Sequence, residues 1–325
     1  MKTQRSFRLH SAVAALSCLV AFGAAAQSYP SKPVRMIAPF PPGGTSDVVA
    51  RLIAQKLTDA LGRQVVVENR GGAAANIGHE IAAKAAPDGY TLLLTSGAAM
   101  VNNQFLYKKL NWEPAEFTPI SMVASAGMVL VVHPSVPATN VTQLIALARA
   151  RPDRLSAGSG GVGTTSHVTL EVFKSVTKTR ITHVPYKGGA LAVTDLLGGQ
   201  IDLVFSDMVP SVPHVQSGRL RALAVTSDQR SATLPNVPTM PESGVNNAFP
   251  SQWWAMVAPR GTPAAILSRI NTDIVQFMKA PDIQEKYTAL GLFARSGTPE
   301  QVLETIKAGM AEMREIVKAA GIQPE

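Results

Sequence analysis

Strand-like and helix-like segments alternate in two series along this chain, and that alternation restricts it to a small set of folds. Val34–Phe40 (VRMIAPF) reads as a buried strand. Ser46–Leu61 follows with Val49, Leu52, Ile53, Leu57 and Leu61 at helical spacing, and Gly62 ends it. Val65–Glu68 predicts a second strand, Asn76–Ala86 a second helix and Tyr90–Thr95 a third strand. This is the rhythm of parallel β-α units in an open α/β sheet. Ile120–His133 then reads as one long extended run. A second series follows: helix Val141–Ala150, strand Leu155–Gly158, helix Ser166–Val176, strand Ile181–Tyr186, helix Ala190–Leu197, and strands Asp202–Phe205 and Leu220–Thr226. Pro, Asn and Gly crowd Thr233–Pro250, which predicts a connection. Trp253–Ala258 looks extended, and helices at Pro263–Lys279 and Pro299–Ala320 close the chain. The expectation is two α/β lobes, the second inserted in the first: residues 27–125 and 226–325 in lobe 1, residues 126–225 in lobe 2. Two crossings, near residues 122–130 and 225–255, would make a hinge suited to closing on a ligand.

Composition agrees with packed cores. Of 325 residues, 46% are hydrophobic and only 16% charged, the opposite of a disordered chain. Cys18 is the one cysteine, which excludes an intrachain disulfide framework and cysteine-based metal sites. The net charge of +8 overstates the basic character. Lys2, Arg5 and Arg8 stand in the first 26 residues with no acid, and the remaining 27 basic and 22 acidic residues leave +5. No run of five like charges occurs after residue 26, so nucleic acid is not an expected partner and a small anion fits better.

The first segment has the three parts of a secretory signal. Residues 1–10 are polar and basic, residues 11–23 (SAVAALSCLVAFG) are nearly all apolar, and Ala24-Ala25-Ala26 offers small residues before Gln27. Cleavage after Ala26 is expected, giving an exported product. A membrane anchor is disfavoured because the apolar run is short of the roughly 20 residues a span needs. Lipoprotein cleavage before Cys18 is disfavoured because Ala15 stands where such signals usually have Leu.

Two glycine-rich loops carry the candidate chemistry. Pro39-Phe40-Pro41-Pro42-Gly43-Gly44-Thr45-Ser46-Asp47 lies between a strand and a helix start. Prolines stiffen it, glycines let backbone N–H groups approach a ligand, and the helix end favours an anion. Gly158-Ser159-Gly160-Gly161-Val162-Gly163-Thr164-Thr165-Ser166-His167 repeats the arrangement. It matches the dinucleotide fingerprint by letter, but no acid occurs between Glu171 and Asp195, where the ribose partner belongs. No Lys precedes Thr164, so a phosphate-loop reading also fails. A carboxylate held between two facing helix N-termini is the simplest joint use of both loops.

Catalytic patterns are incomplete. Ala157-Gly158-Ser159-Gly160-Gly161 has Ala where a nucleophile elbow needs Gly. His79-Glu80 begins a metalloprotease-like pair, but Ala83 replaces the second histidine. The six histidines, at 10, 79, 133, 167, 183 and 214, have no metal-ligand spacing, so neither metal nor cofactor is expected. His167 reads as a hydrogen-bonding residue at a helix start or as a pocket wall. Trp253-Trp254 reads as core and hinge packing or as a ligand platform, and Asp207 as a helix cap or a cleft residue.

Taken together, these segments resemble the Bug-type extracytoplasmic solute receptors of tripartite tricarboxylate transport systems. The resemblance runs through YPSKPVRMIAPFPPGGTSD, VVVENRGGAAANIG, PDGYTLLL, GSGGVGTTSH, VPYKGG, GQIDLVFSD, GRLRALAVTS, LPNVPTMPESG and WWAMVAPRGTP. It implies a type II periplasmic binding protein fold, two α/β lobes on a two-crossing hinge with a ligand cleft between them. It also implies a monomeric, non-enzymatic periplasmic receptor that takes a small carboxylate without an arginine clamp and passes it to membrane permease subunits. An enzyme acting on a small carboxylate with the same two-lobe fold is the alternative. By motif, the ligand-binding positions are Phe40, Pro42, Gly43, Gly44 and Thr45 in the first loop and Gly160, Gly161, Thr164, Thr165 and His167 in the second, with Ala74, Ser96 and Asp207 in the cleft. The chain departs from the family pattern at Gly71, Ala74, Leu191 and Ala255. The changes at 74 and 255 are expected to narrow the pocket or change its selectivity.

Overall fold

The computed structural model describes residues 29–246, 249–250 and 252–324. The proposed signal segment, with Cys18 and the cleavage point after Ala26, lies outside the described residues. From Lys32 onward the chain is one compact unit carrying two sheets.

The first sheet starts with strand β1 (Val34–Ala38), helix α1 (Thr45–Leu61), β2 (Val65–Asn69), α2 (Asn76–Ala83) and β3 (Thr91–Ser96). β1 pairs in parallel with both β2 and β3. A π-helical turn (Ala98–Asn102), a short α3 (Asn103–Leu106) and β4 (Phe117–Ala126) follow. The second sheet holds β5 (Met128–Val132), α4 (Val141–Ala150), β6 (Ser156–Ser159), α5 (Thr165–Thr177), β7 (Thr182–Pro185), α6 (Gly189–Leu197), β8 (Leu203–Asp207), α7 (Met208–Gln216) and β9 (Arg221–Val225). The chain then returns to the first sheet through β10 (Gln252–Pro259), α8 (Ala264–Met278), α9 (Pro281–Ala289), β11 (Phe293–Ala294) and α10 (Pro299–Ala320). Strand orders are β11-β4-β10-β3-β1-β2 and β7-β6-β8-β5-β9.

The extended run expected over Ile120–His133 is two strands in different sheets, broken at Gly127. A Cβ at Gly127 would lie 2.8 Å from Ser227 Cβ and 3.0 Å from Ser227 N. The outgoing and returning crossings therefore touch there, and only a residue without a side chain fits. Strand propensity cannot register such a break, because both halves are equally apolar.

Three helices escaped the sequence reading: the one-turn α3, and the longer α7 and α9. α7 contains Pro213 and also Pro210. Pro210 sits in the first turn, where its missing N–H costs nothing. Burial of Met208, Ser211 and Val212 holds the helix together despite Pro213. α9 begins on Pro281 and is anchored by buried Ile283 and Tyr287.

Apolar residues on both faces of the second sheet form two clusters, one around Phe173 and Phe205, the other around Val193, Leu196 and Val204. A third cluster joins Ile37 and Leu93 of the first sheet to Trp253, to Val302 and Met313 of α10, and to Val168 and Val172 of α5. α10 thus packs the two lobes together behind the cleft. Trp254 is fully buried and donates from Nε1 to Ser46 Oγ at 2.8 Å. The tryptophan pair is core packing, with neither ring in the cleft wall.

Candidate functional site

Parallel strands of both sheets point their carboxyl ends at one cleft, and helices start there. In open α/β sheets this is where ligands bind. The cleft, counted together with the solvent open to it, spans about 700 Å³. Its wall takes Phe40, Pro41, Pro42, Gly44 and Thr45 from the loop after β1, Ser96 from β3, Gly160 and Thr164 from the end of β6, Gly188 to Leu191 after β7, and Asp207 from β8. The lobes meet across it: a Cβ at Gly188 would stand 3.0 Å from Pro41 Cδ.

Side chains cap some helix starts of this chain and leave others open. α4 is capped by Asn140, whose side chain accepts from Gln143 N at 2.9 Å, and α10 by Thr298 in a capping box. The residues that begin α1, α5, α6 and α7 (Gly44, Thr164, Gly188 and Asp207) make no side-chain cap, as is also true of α2, α8 and α9; what sets these four apart is that they open on the cleft. The first N–H groups of a helix lack intrahelical partners and carry partial positive charge. Four such ends converge on one cleft.

Three hydroxyls reinforce them. Thr45 Oγ1, Ser96 Oγ and Thr165 Oγ1 are buried, line the cleft and form no hydrogen bond of good geometry within the protein. Buried polar atoms are normally paired, and leaving one unpaired costs about 1–3 kcal/mol. Donors of this kind suit an oxyanion. The other loop groups are tied down. Asp47 accepts from Gly43 N at 3.0 Å and from Asn69 Nδ2 at 2.9 Å, and pairs with Arg51 at 2.9 Å. Burial alone would raise the Asp47 pKa, but these partners outweigh it and hold the carboxyl below its ordinary value.

Among the described residues no Lys, Arg or His side chain lines the cleft, and Asp207 is the one ionisable group in its wall. Gln252 Nε2 donates to Asp207 Oδ1 at 3.1 Å. Asp207 keeps some accessible surface because it faces the cleft, yet protein surrounds it on every side, and this desolvation pushes its pKa up to about 6. Thr45 Oγ1 faces it and favours the charged form, without reaching the alignment of a full hydrogen bond. Among the described residues no group of His, Cys, Asp and Glu is arranged to hold a metal.

Of the positions expected from sequence, Phe40, Pro42, Gly44, Thr45, Ser96, Gly160, Thr164, Thr165 and Asp207 stand together in the cleft wall. Gly43, Ala74, Gly161 and His167 do not. Gly43 turns at φ +84 to bond Asp47, and Ala74 is buried behind the loop, where its carbonyl accepts from Asn103 Nδ2 at 2.9 Å. Gly161, at φ +120, faces the Tyr186 carbonyl, 2.9 Å from where a Cβ would stand. His167 accepts from Gly163 N at 3.3 Å and stacks on His183 at 4.4 Å. Burial first, with Lys174 adding to it, lowers the His167 pKa to about 4, so the ring is neutral. Of the departures from the family pattern, Ala255 is buried in mid-sheet. Leu191 is the one in the cleft wall, with 45% of its surface exposed. Sequence reasoning also missed Gln252, Ser46 and Gly188–Ala190. A polar residue just before a buried tryptophan pair was the available signal for Gln252.

Residues 49–322 match the model of the tripartite tricarboxylate transporter family receptor, TctC. The chain belongs to that family. BugT of Bordetella pertussis is 38% identical over 93% of this chain and 93% of its own. The structure of an R. palustris protein with adipate superposes with a TM-score of 0.89 at 35% identity, covering 91% of this chain and 100% of that one. MatC of Rhodopseudomonas palustris with bound malate gives a TM-score of 0.84 at 26% identity, over 89% of this chain and 100% of MatC. The fold is therefore the two-lobe binding-protein fold of this receptor family.

The hydroxyls of this receptor allow a graded test. Thr165→Val and Thr45→Val keep the side-chain shape and remove one donor each. Each is expected to weaken carboxylate affinity by about 1–2 kcal/mol, roughly 5- to 30-fold, in calorimetric titration. Unchanged affinity in both variants would mean that the ligand does not use these hydroxyls.

Proposed function

We propose that this receptor captures a small carboxylate-bearing organic molecule in the periplasm and delivers it to the membrane permease subunits of a tripartite tricarboxylate-type transporter. The carrying observation is the convergence of four helix N-termini without side-chain caps and three buried hydroxyls without a well-formed hydrogen bond on a cleft whose described lining holds no cation. Oriented backbone and hydroxyl donors, each contributing roughly 1.5–3 kcal/mol to an ionised acceptor, replace an ion pair. Gly44, Thr45, Ser96, Gly160, Thr164, Thr165 and Asp207 are the proposed ligand contacts. The adipate and malate complexes of relatives support the ligand class. Export with cleavage after Ala26 belongs to the same reading, supported by the signal-like first segment.

A binding role is favoured over catalysis. A serine–histidine pair at the second loop, Ser159 Oγ with His183 Nε2 at 2.6 Å, has a fully buried serine and lies outside the cleft wall. The test is native-state mass spectrometry of the purified protein, then a thermal-shift screen of mono- and dicarboxylates. A true ligand at 100 times its Kd should add roughly 2.7 kcal/mol of stability. No carboxylate shifting the melt, or a ligand eluting chemically changed, would overturn the receptor reading.

A further inference from the structure

The cleft wall is chemically lopsided. One corner is rich in donors: the starts of α5 and α6 adjoin there, so that a Cβ at Gly160 would lie 3.2 Å from Gly189 N and 3.4 Å from Thr164 Cγ2. The first loop reaches this corner too, since a Cβ at Gly188 would stand 3.0 Å from Pro41 Cδ. The other corner holds Asp207, bonded by Gln252 and faced by Thr45, which as the first residue of α1 stands between the two corners. Gln252 donates to Oδ1 of Asp207, no hydrogen bond of good geometry is made to Oδ2 among the described residues, and Asp207 is part of the cleft wall. Among the described residues nothing cationic stands in the wall to offset it. The elements packed around Asp207 do not supply a charge either. On α1, Asp47 and Arg51 pair with each other, and Thr45 is neutral. β5 presents Met128 opposite Asp207, β10 presents Gln252, and His214 on α7 is two turns along the helix.

A carboxylate seated on the donor corner leaves the far end of the ligand against an acceptor. A second carboxylate there would place two like charges in a desolvated space, where one of them must take up a proton. A hydroxyl, amide or ammonium would instead donate to Asp207. We propose that the preferred ligands of this receptor carry one carboxylate and, at the far end, a hydrogen that Asp207 accepts, and that a simple dicarboxylate enters only together with a proton drawn from solvent. This rests on the carboxylate-receptor reading and adds the ligand class and its proton coupling. The burial that raises the Asp207 pKa acts in the same direction, since it eases protonation near neutral pH.

The experiment is isothermal titration of the mature protein at about pH 7.5, where simple dicarboxylic acids are fully ionised, in two buffers of different ionisation enthalpy. The probes are adipate, 6-hydroxyhexanoate, 6-aminohexanoate and hexanoate, which share one chain length. The hydroxy or amino acid should bind at least about tenfold more tightly than adipate, with no proton exchange. Adipate should bind with uptake of close to one proton. Asp207→Asn should abolish that uptake and bring adipate within a few-fold of the hydroxy acid. Adipate binding most tightly to the wild-type protein with no proton uptake would overturn the proposal, whatever the variant does. So would a hydroxy acid no tighter than hexanoate. Failure of the underlying reading is a different result: no carboxylate probe binds at about pH 7.5 or at about pH 5.5, and both proposals then fall together.

Discussion

Gly44→Val is expected to remove tight ligand binding and leave the fold standing. Gly44 has φ −86 and ψ 171, extended backbone that any residue adopts. A Cβ there meets nothing closer than the Pro41 carbonyl oxygen at 3.9 Å. The branched side chain therefore has room inside the protein, and the room it takes is cleft. It stands at the start of α1, over the free N–H groups and beside the Thr45 hydroxyl. Losing two charge-assisted donors to a ligand carboxylate costs at least about 3 kcal/mol, roughly 150-fold in Kd. Gly189→Val, at a position with nothing within 4 Å of its Cβ, should act in the same way at the start of α6. Gly161→Val is not equivalent. Its φ of +120 and the 2.9 Å approach to Tyr186 O predict a damaged loop and a lower melting temperature. Calorimetry on variants with wild-type circular dichroism checks this. If Gly44→Val and Gly189→Val both bind as the parent does, the ligand does not sit on these helix ends.

Acid is expected to destabilise the receptor well above the pH at which carboxylates are protonated. His79 is completely buried, with Nδ1 2.9 Å from Ala75 O, Nε2 2.7 Å from Thr95 Oγ1, and its ring 4.5 Å from Trp112. Desolvation lowers its pKa from 6.5 to about 4, the Ala75 bond opposing only in part. The unfolded chain then binds a proton near pH 6.5 that the folded chain refuses until near pH 4. The stability from neutral His79 is complete above pH 6.5 and is lost as the pH falls toward 4. At pH 5 the loss from this residue is about 2 kcal/mol. His167 and His183, both lowered to about 4 chiefly by burial, add in the same direction. Asp207 acts oppositely: raised to about 6, it favours the folded state as the pH falls through 6, and recovers part of the loss. Urea unfolding at pH 7 and pH 5 should show the net fall. His79→Asn, less stable at pH 7, should show a shallower one. Equal stability of the parent protein at both pH values would contradict a neutral buried His79.

Much of the scaffold was legible from one-dimensional periodicity. α4 and α10 fall where the apolar spacing put them, and the β-α rhythm of both series survives as parallel pairs around β1 and β6. These signals are local, since side-chain direction repeats every 3.6 or 2 residues and turn residues mark the ends. The loops were legible for the same reason, because Pro and Gly state backbone conformation directly.

What tertiary structure decided is which atoms of those loops face the cleft. Gly160 and Gly161 are neighbours of one type, yet one lines the wall and the other turns onto Tyr186, a difference set by backbone dihedrals and not by residue identity. Asp207 and Gln252 are 45 residues apart and meet only because β8 and β10 bring different sheets to the same hinge. The break at Gly127 is likewise invisible in an unbroken apolar run, because it depends on Ser227 crossing beside it. Sequence determined most of the regular elements, the loop chemistry and, through nine matching segments, the family. The convergence of strand ends from two sheets, and with it the composition of the cleft wall, depends on pairing order and lobe approach, which are long-range properties that no local spacing encodes.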